Sequence, residues 1–198
     1  MLILISNPIG LVEEATLINQ FFDEGLDLFH IRKPRDSEEN VKALIEKIDS
    51  RHHMQISLHQ HHQLADNYGI KRLHFSERFR RDQKKDIAQI LKNKGYQLST
   101  SVHSAEDFEL LNNTFSYSFI GPVFDSISKP GYTAKVDNLM PGFQKGTKAV
   151  AIGGIQASNV HRLKGRFGGV AILGTIWYSD APIRNFLQIR KIWNTQDP

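Results

Sequence analysis

The feature that most constrains the fold is a repeated alternation of short apolar segments with amphipathic segments of helical spacing. Eight apolar segments of strand type occur along the chain, and each is followed by a unit that can cross back over a sheet. Continuous apolar strands that alternate with helices are typical of a parallel sheet covered by helices. Eight such units favour a closed barrel over an open sheet. We therefore expect an α/β fold, a (β/α)8 TIM barrel, with residues 1–198 as one domain.

Local signals give the bounds of the predicted elements. The predicted strands span residues 2–7, 28–33, 55–59, 72–75, 97–102, 117–124, 149–152 and 169–173. The predicted helices cover residues 13–24, 62–68, 84–94, 138–145, 158–166 and 182–193, with two more that begin near Ser37 and at Ser104. Ser158 is the predicted N-cap of the helix over 158–166, since a serine hydroxyl can accept a hydrogen bond from a free backbone N–H. Gly25 is a predicted C-cap of the first helix.

Composition and charge exclude several classes of protein. The chain has no cysteine, so disulfides and thiolate sites are excluded. The net charge of +4 comes from basic residues spread along the chain, which is too weak a pattern for a nucleic-acid-binding surface. The apolar run at residues 1–5 is too short for a membrane span and lacks the basic leader of a signal peptide. We expect a cytoplasmic protein that binds neither nucleic acid nor membrane. The sequence leaves open whether the chain forms a homo-oligomer.

Three loops at the predicted mouth of the barrel carry residues suited to phosphate. In TIM barrels the reactive groups lie at the C-terminal ends of the strands, and phosphate is often bound after strands seven and eight. Hydroxyl donors, a positive charge and glycines that expose backbone N–H groups all favour an anion there. The alternative is that the glycines only make tight turns. The residues concerned are Ser126, Ser128, Lys129, Gly153, Gly154 and Gly174.

Four histidines also fall at this end of the predicted barrel. His30, His59, His74 and His103 lie near the ends of four consecutive strands, so several of them could face one pocket. Histidine can act as an acid, a base or a metal ligand near neutral pH, and structural hydrogen bonding is the alternative. No spacing in the sequence fixes the mutual geometry that a metal requires, so we predict no metal site.

Several segments resemble the family of thiamine phosphate synthase and the thiazole tautomerase TenI. Residues 117–129, YSFIGPVFDSISK, are similar to the family's G-P-V-F-x-T-x-T-K motif, with serine in place of both threonines. Residues 150–155, VAIGGI, match its A-I-G-G-I run, and residues 169–174, GVAILG, are similar to its G-V-A-V-V-S strand. Residues 101–104 and 73–74 also fit, and the resemblance covers nearly the whole chain.

The resemblance implies an activity and a set of site residues. The synthase joins hydroxymethylpyrimidine diphosphate to a hydroxyethylthiazole phosphate and releases pyrophosphate. Arg32 and Lys129 would contact the pyrophosphate, and Mg²⁺ would stabilise its developing charge in a true synthase. The substrate and its phosphate would be held by Ser101, Ser126, Ser128, Gly153, Gly154, Leu173 and Gly174.

The half of the predicted mouth formed by strands two to four departs from the synthase pattern. The family's Q-x-R-x-K motif reads H-I-R-K-P at residues 30–34, and its N-D pair is replaced by His59-Gln60. The H-x-G-x-x-D motif after strand four lacks its final Asp, with Glu77 as a candidate substitute. Magnesium usually binds one or two carboxylates, so the ligands expected for it are missing.

These departures leave three functions open. The resemblance implies a synthase-type transferase. The alternatives are a metal-free tautomerase that moves a proton between isomers of a thiazole carboxylate phosphate, which the residue chemistry favours, and a non-catalytic binder of the thiazole phosphate. The tautomerase has a histidine in a G-H-V-F motif where this chain has Pro122, so His103 or His30 would have to serve as its acid and base. The candidate catalytic residues across these alternatives are His30, Arg32, His103 and Lys129.

Overall fold

The computed structural model describes residues 1–82, 86–111, 113–125 and 146–195, and it contains a closed barrel of eight parallel strands. Neighbouring strands follow one another in sequence, and β8 pairs with β1 to close the barrel. This confirms the predicted (β/α)8 architecture. The strands are β1 (Leu2–Ile5), β2 (Leu28–Ile31), β3 (Ile56–Leu58), β4 (Arg72–Phe75), β5 (Gln97–Val102), β6 (Tyr117–Ile120), β7 (Lys148–Ile152) and β8 (Gly169–Ile172).

Helices connect the strands on the outside of the barrel. Ser37 and Ser104 cap α2 and α6, because each side-chain oxygen accepts a backbone N–H three residues later. Gly25 ends α1 in the left-handed region, as predicted. The helices are α1 (Glu14–Asp23), α2 (Glu38–Lys47), α3 (Leu64–Asn67), α4 (Glu77–Asp82), α5 (Asp86–Asn93), α6 (Ala105–Glu109), α7 (Gly174–Trp177) and α8 (Pro182–Asn194).

Some predicted bounds are wrong. The segment predicted as a helix over 158–166 forms only a 3-10 turn over Val160–Leu163, and Asn159 rather than Ser158 stands at its N-cap. The Asn159 side chain bonds to the backbone of Gly154 and Gln156, which holds this segment as a tight loop. Strand six ends at Ile120, before Pro122, which has no backbone N–H for the ladder. The predicted helix over 138–145 lies outside the described residues.

Alternation along the strands divides the apolar residues between two cores. One side of each strand packs against the helices in a large outer core, to which Leu4, Phe29 and Leu58 belong. The other side faces the barrel interior, where a smaller apolar cluster consists of Ile3, Ile5, Leu28, Tyr117, Phe119, Val150 and Ala171. This inner cluster draws on β1, β2, β6, β7 and β8, which leaves the interior near β3, β4 and β5 to polar side chains.

Candidate functional site

The polar half of the barrel interior carries a group of three histidines. His30 on β2, His59 directly after β3 and His74 on β4 each offer a ring nitrogen, and these nitrogens lie within 4.8 Å of one another. His30 and His74 are buried, while His59 is only partly buried. His30 Nδ1 lies 2.9 Å from His59 Nε2, and the His59 ring stacks on His74 with 4.0 Å between ring centroids. We call these three residues the histidine triad.

Inward-facing side chains of β5 and β6 bind ring nitrogens of the two buried histidines of the triad. His30 Nε2 lies 2.6 Å from the hydroxyl of Tyr117. His74 Nδ1 lies 2.9 Å from Ser99 Oγ, and its Nε2 lies 3.0 Å from Ser101 Oγ. The strand register explains these contacts, because His74 pairs with Ser99, and Ser99 pairs with Tyr117, on adjacent strands. The barrel therefore fixes the ring orientations of both buried histidines.

Burial keeps the triad uncharged. It lowers the pKa of His74 to about 3 and holds the pKa values of His30 and His59 well below their ordinary range. Nearby positive charges, including Arg32 for His59 and His74, lower these pKa values further. Burial also raises the pKa of the Tyr117 phenol to about 12. At neutral pH the group consists of three neutral imidazoles and a neutral phenol.

His103 lies apart from the triad, on the rim of the barrel after β5. Its side chain is 56% exposed, so it can reach a ligand from solvent. Nδ1 lies 3.2 Å from the carbonyl oxygen of Gly121, and Nε2 lies 3.5 Å from Glu77 Oε2. The carbonyl can only accept, so Nδ1 carries a proton and the neutral ring keeps its lone pair on Nε2. The predicted set of four histidines is thus divided into three buried residues and one accessible residue.

The two basic residues that follow β2 point in different directions. Arg32 is exposed and directly follows β2, at the end of the barrel where the strands terminate. Ser6 braces it there, because Ser6 Oγ accepts the Arg32 N–H at 2.8 Å and donates to the Arg32 carbonyl at 3.0 Å. Lys33 is 1% exposed and lies 2.6 Å from Glu14 Oε2, in an ion pair beneath the β1–α1 loop.

The loops after β7 and β8 lie side by side. Gly153 and Gly154 both have positive φ angles, and a Cβ atom at either position would lie within 2.6 Å of the loop after β6. Close packing thus accounts for these glycines by itself, as in the tight-turn alternative. Leu173 and Gly174 stand at the start of α7, whose Thr175 hydroxyl donates to the Ile155 carbonyl and ties the two loops together.

Sequence reasoning missed some residues of this region, and part of its prediction lies outside the described residues. The latter part is Ser126, Ser128 and Lys129. Tyr117 was missed as the partner of His30, although its position two residues before the inward-facing Phe119 is a signal for the same face. Glu77 was considered only as a magnesium ligand, and its contact with His103 depends on α4, which the sequence did not predict.

Comparison with known proteins identifies the family of this chain. The family model described as thiamine monophosphate synthase matches residues 2–176. The chain belongs to this family. No protein with a curated description matches it significantly.

Solved structures agree on the fold of this family member. A thiamine phosphate pyrophosphorylase from Bacteroides thetaiotaomicron is 23% identical with a TM-score of 0.75, covering 100% of this chain and 99% of that chain. A thiamine phosphate pyrophosphorylase from Pyrococcus furiosus is 16% identical with a TM-score of 0.75, covering 97% and 94%. A 3-hexulose-6-phosphate synthase from Salmonella typhimurium is 14% identical with a TM-score of 0.70, covering 97% of each chain. None of the described helices combines the length and the apolar character needed to cross a bilayer.

Proposed function

We propose that this family member binds a thiazole phosphate at the barrel mouth and isomerises it by proton transfer, with His103 as the acid and base. The observation that carries the proposal is the setting of His103, an accessible histidine with a carboxylate beside its Nε2 and a carbonyl bound to its Nδ1. A general base has to come within hydrogen-bond reach of the proton that it removes. His30 is fully buried, so a substrate at the mouth cannot reach it and it does not meet this requirement.

The neighbourhood of His103 supports the same proposal. The carbonyl that binds its Nδ1 belongs to Gly121, the residue before Pro122. Pro122 stands where the tautomerase that this chain resembles has its histidine. His103 therefore reaches the same loop from the adjacent strand β5, and it offers an imidazole close to the position that lost one.

The proton balance of an isomerisation fits this arrangement. His103 Nε2 takes a proton from one carbon of the substrate, and the bonding electrons shift to form the new double bond. The imidazolium then lies within ion-pair distance of Glu77, with Nε2 3.5 Å from Oε2. Delivery of the proton to a second carbon restores the neutral imidazole, so the enzyme has no net change.

The phosphate of the substrate would lie across the loops after β6, β7 and β8. The proposal assigns it to the backbone N–H groups near Gly154 and Gly174, together with Ser126, Ser128 and Lys129. The support is the adjacency of the loops after β7 and β8, which Thr175 ties together, and the usual location of phosphate in this fold. Arg32 would face the substrate from the opposite side of the mouth.

Magnesium, which the resemblance implies for a synthase, does not fit the described residues. The two positions of its expected carboxylate ligands hold Gln60 and Phe79, and the histidine triad nearby contributes nitrogen atoms. Mg²⁺ prefers oxygen ligands, usually including carboxylates. For that reason no step of the proposed mechanism uses magnesium.

Thiamine phosphate synthesis is the second candidate, and two observations favour it. The matching family model is described by that activity. Arg32 also brings a positive charge to the mouth, where it could stabilise a departing pyrophosphate.

The test supplies the protein with each substrate set, with and without Mg²⁺, and follows the products by NMR. We expect isomerisation of the thiazole carboxylate phosphate without added metal, and a loss of about 10²–10⁴-fold in kcat for His103→Asn. The exposed His161 provides the control, since His161→Asn should retain full activity. Magnesium-dependent formation of thiamine phosphate would establish the second candidate instead. Tight binding of the thiazole phosphate with no turnover in either assay would refute both enzymatic functions.

A further inference from the structure

The histidine triad has no part in the proposed proton transfer, yet its arrangement is chemically specific. Three imidazoles from β2, β3 and β4 converge inside the barrel, with their ring nitrogens within 4.8 Å of one another. None of the described Asp or Glu residues joins this group. A cluster of neutral nitrogen donors is suited to Zn²⁺, Cu²⁺, Fe²⁺ or Ni²⁺, and it is poorly suited to Mg²⁺ or Ca²⁺.

The outer nitrogens of the buried histidines already have the partners that metal-bound histidines require. A metal-ligating histidine usually donates its second ring N–H to an oxygen, which fixes the tautomer and orients the ring. His30 Nε2 has the Tyr117 hydroxyl at 2.6 Å, which leaves Nδ1 directed at His59. His74 Nδ1 has Ser99 Oγ at 2.9 Å, and Ser99 Oγ in turn lies 3.5 Å from the Leu73 carbonyl. His74 Nε2 is then the ligand atom, and the Ser101 hydroxyl that lies 3.0 Å from it has to turn away when a metal binds.

The triad can also be reached from the mouth of the barrel. The His59 side chain is partly exposed and offers an entry path from the mouth.

We propose that His30, His59 and His74 bind a divalent transition-metal ion of the Zn²⁺ type. Zn–N bonds of about 2.0–2.1 Å separate two tetrahedral ligand nitrogens by about 3.4 Å. His30 Nδ1 and His59 Nε2 are 2.9 Å apart, so metal binding requires these two nitrogens to move apart by roughly 0.5 Å. His59 also has to swing away from the face of His74, which its partly exposed position permits. Three protein ligands would leave a fourth position for water or a ligand.

The competing explanation is a purely hydrogen-bonded histidine cluster, in which His30 and His59 bind each other and no metal. A titration of tag-free protein with Co²⁺ after treatment with a chelator separates the two. We expect one Co²⁺ per chain with the visible absorption of nitrogen-ligated cobalt. Zn²⁺ should displace the cobalt, and a large excess of Mg²⁺ should leave it in place.

Two variants connect the bound metal to the triad. His59→Gln should weaken Co²⁺ binding by at least about 100-fold, since loss of a ligand exceeds the 10–100-fold effect of losing an outer partner. Tyr117→Phe removes only such an outer partner and should weaken binding by about 10–100-fold. His161→Gln removes one exposed imidazole elsewhere and should bind as the wild type does. Circular dichroism and urea unfolding in chelator verify the fold of each variant, and Tyr117→Phe carries the test should His59→Gln fail to fold.

Two results would overturn the metal site. The first is that the wild-type protein binds Co²⁺ no more tightly than the His59→Gln variant does. The second is an equal loss of binding in His161→Gln, which would assign the metal to surface histidines. Neither result bears on the isomerase assay, because that proposal rests on His103 and uses no metal.

Discussion

Replacing Lys33 by methionine removes one partner of a buried ion pair beneath the β1–α1 loop. Lys33 Nζ lies 2.6 Å from Glu14 Oε2, and the two side chains are 1% and 4% exposed. Glu14 Oε1 is buried with no hydrogen-bond partner among the described residues, so Lys33 is the main compensation for this carboxylate. Breaking such a pair from one side typically costs about 3–5 kcal/mol, because a buried charge is left alone. We expect that loss in the free energy of unfolding of Lys33→Met at pH 7.

The stability lost in Lys33→Met should become smaller as the pH falls. Burial raises the pKa of Glu14 above 4.5, and the hydrogen bond and charge of Lys33 oppose that rise. Without Lys33 the folded-state pKa rises further. A raised folded pKa contributes stability below the unfolded pKa that is lost as the pH increases through the folded value. The stability gap between wild type and Lys33→Met should therefore narrow from pH 7 to pH 4, by about 1.4 kcal/mol for each unit of additional rise.

Urea unfolding of both proteins at pH 7 and pH 4 measures this gap. The control is Arg51→Met, which breaks an ion pair with Asp23 of the same 2.6 Å length between side chains that are 60% and 58% exposed, and a second exposed pair with Asp49. That change should cost at most about 1 kcal/mol. The double variant Lys33→Met with Glu14→Gln should recover part of the loss, because no buried charge remains. A Lys33→Met variant that loses no more stability than Arg51→Met, or whose gap is independent of pH, would contradict the reasoning.

Two further predictions concern backbone and capping. Gly153→Ala should lower the free energy of unfolding by about 2–4 kcal/mol, because φ is +102° and the new Cβ would lie 2.6 Å from an atom of Pro122. Gly165→Ala, with φ of +69° and open space around it, should cost only about 1–2 kcal/mol in the same urea unfolding experiment, and equal losses would show that the contact is unimportant. Ser104→Ala should cost about 0.5–2 kcal/mol and fray α6, as seen by amide hydrogen exchange, because the side chain accepts the Asp107 N–H. Unchanged exchange in α6 would show that this cap contributes nothing.

Strand positions were more predictable from the sequence than helix positions, for a physical reason. Each strand is a buried apolar run, so its centre is visible in the sequence whatever it packs against. Several helices are short and rest on contacts that are distant in sequence. α7 begins at Gly174 and is fixed through Thr175, which bonds to Ile155 after β7. The loop near 158–166 takes its form from Asn159, whose amide binds Gly154.

The candidate site was predictable in its location and only partly in its membership. The ends of strands identified His30, His74 and His103 as residues of the mouth or of the interior beneath it. Which of them share a pocket depends on the order and stagger of the strands around the barrel, and no local pattern contains this information. Lys33 illustrates the limit, since its partner Glu14 lies 19 residues away in the chain, on α1.

The sequence by itself determined the eightfold alternation, the family and the absence of carboxylates at positions 60 and 79, because each of these is a property of residue types at fixed spacing. The tertiary structure decided that three histidines meet inside the barrel and that His103 stays on the rim with Glu77. It did so because barrel closure brings side chains together across strands, as it does for His30 and Tyr117, which are 87 residues apart in the chain. Burial then keeps these side chains uncharged, and no local sequence pattern predicts either the contact or the burial.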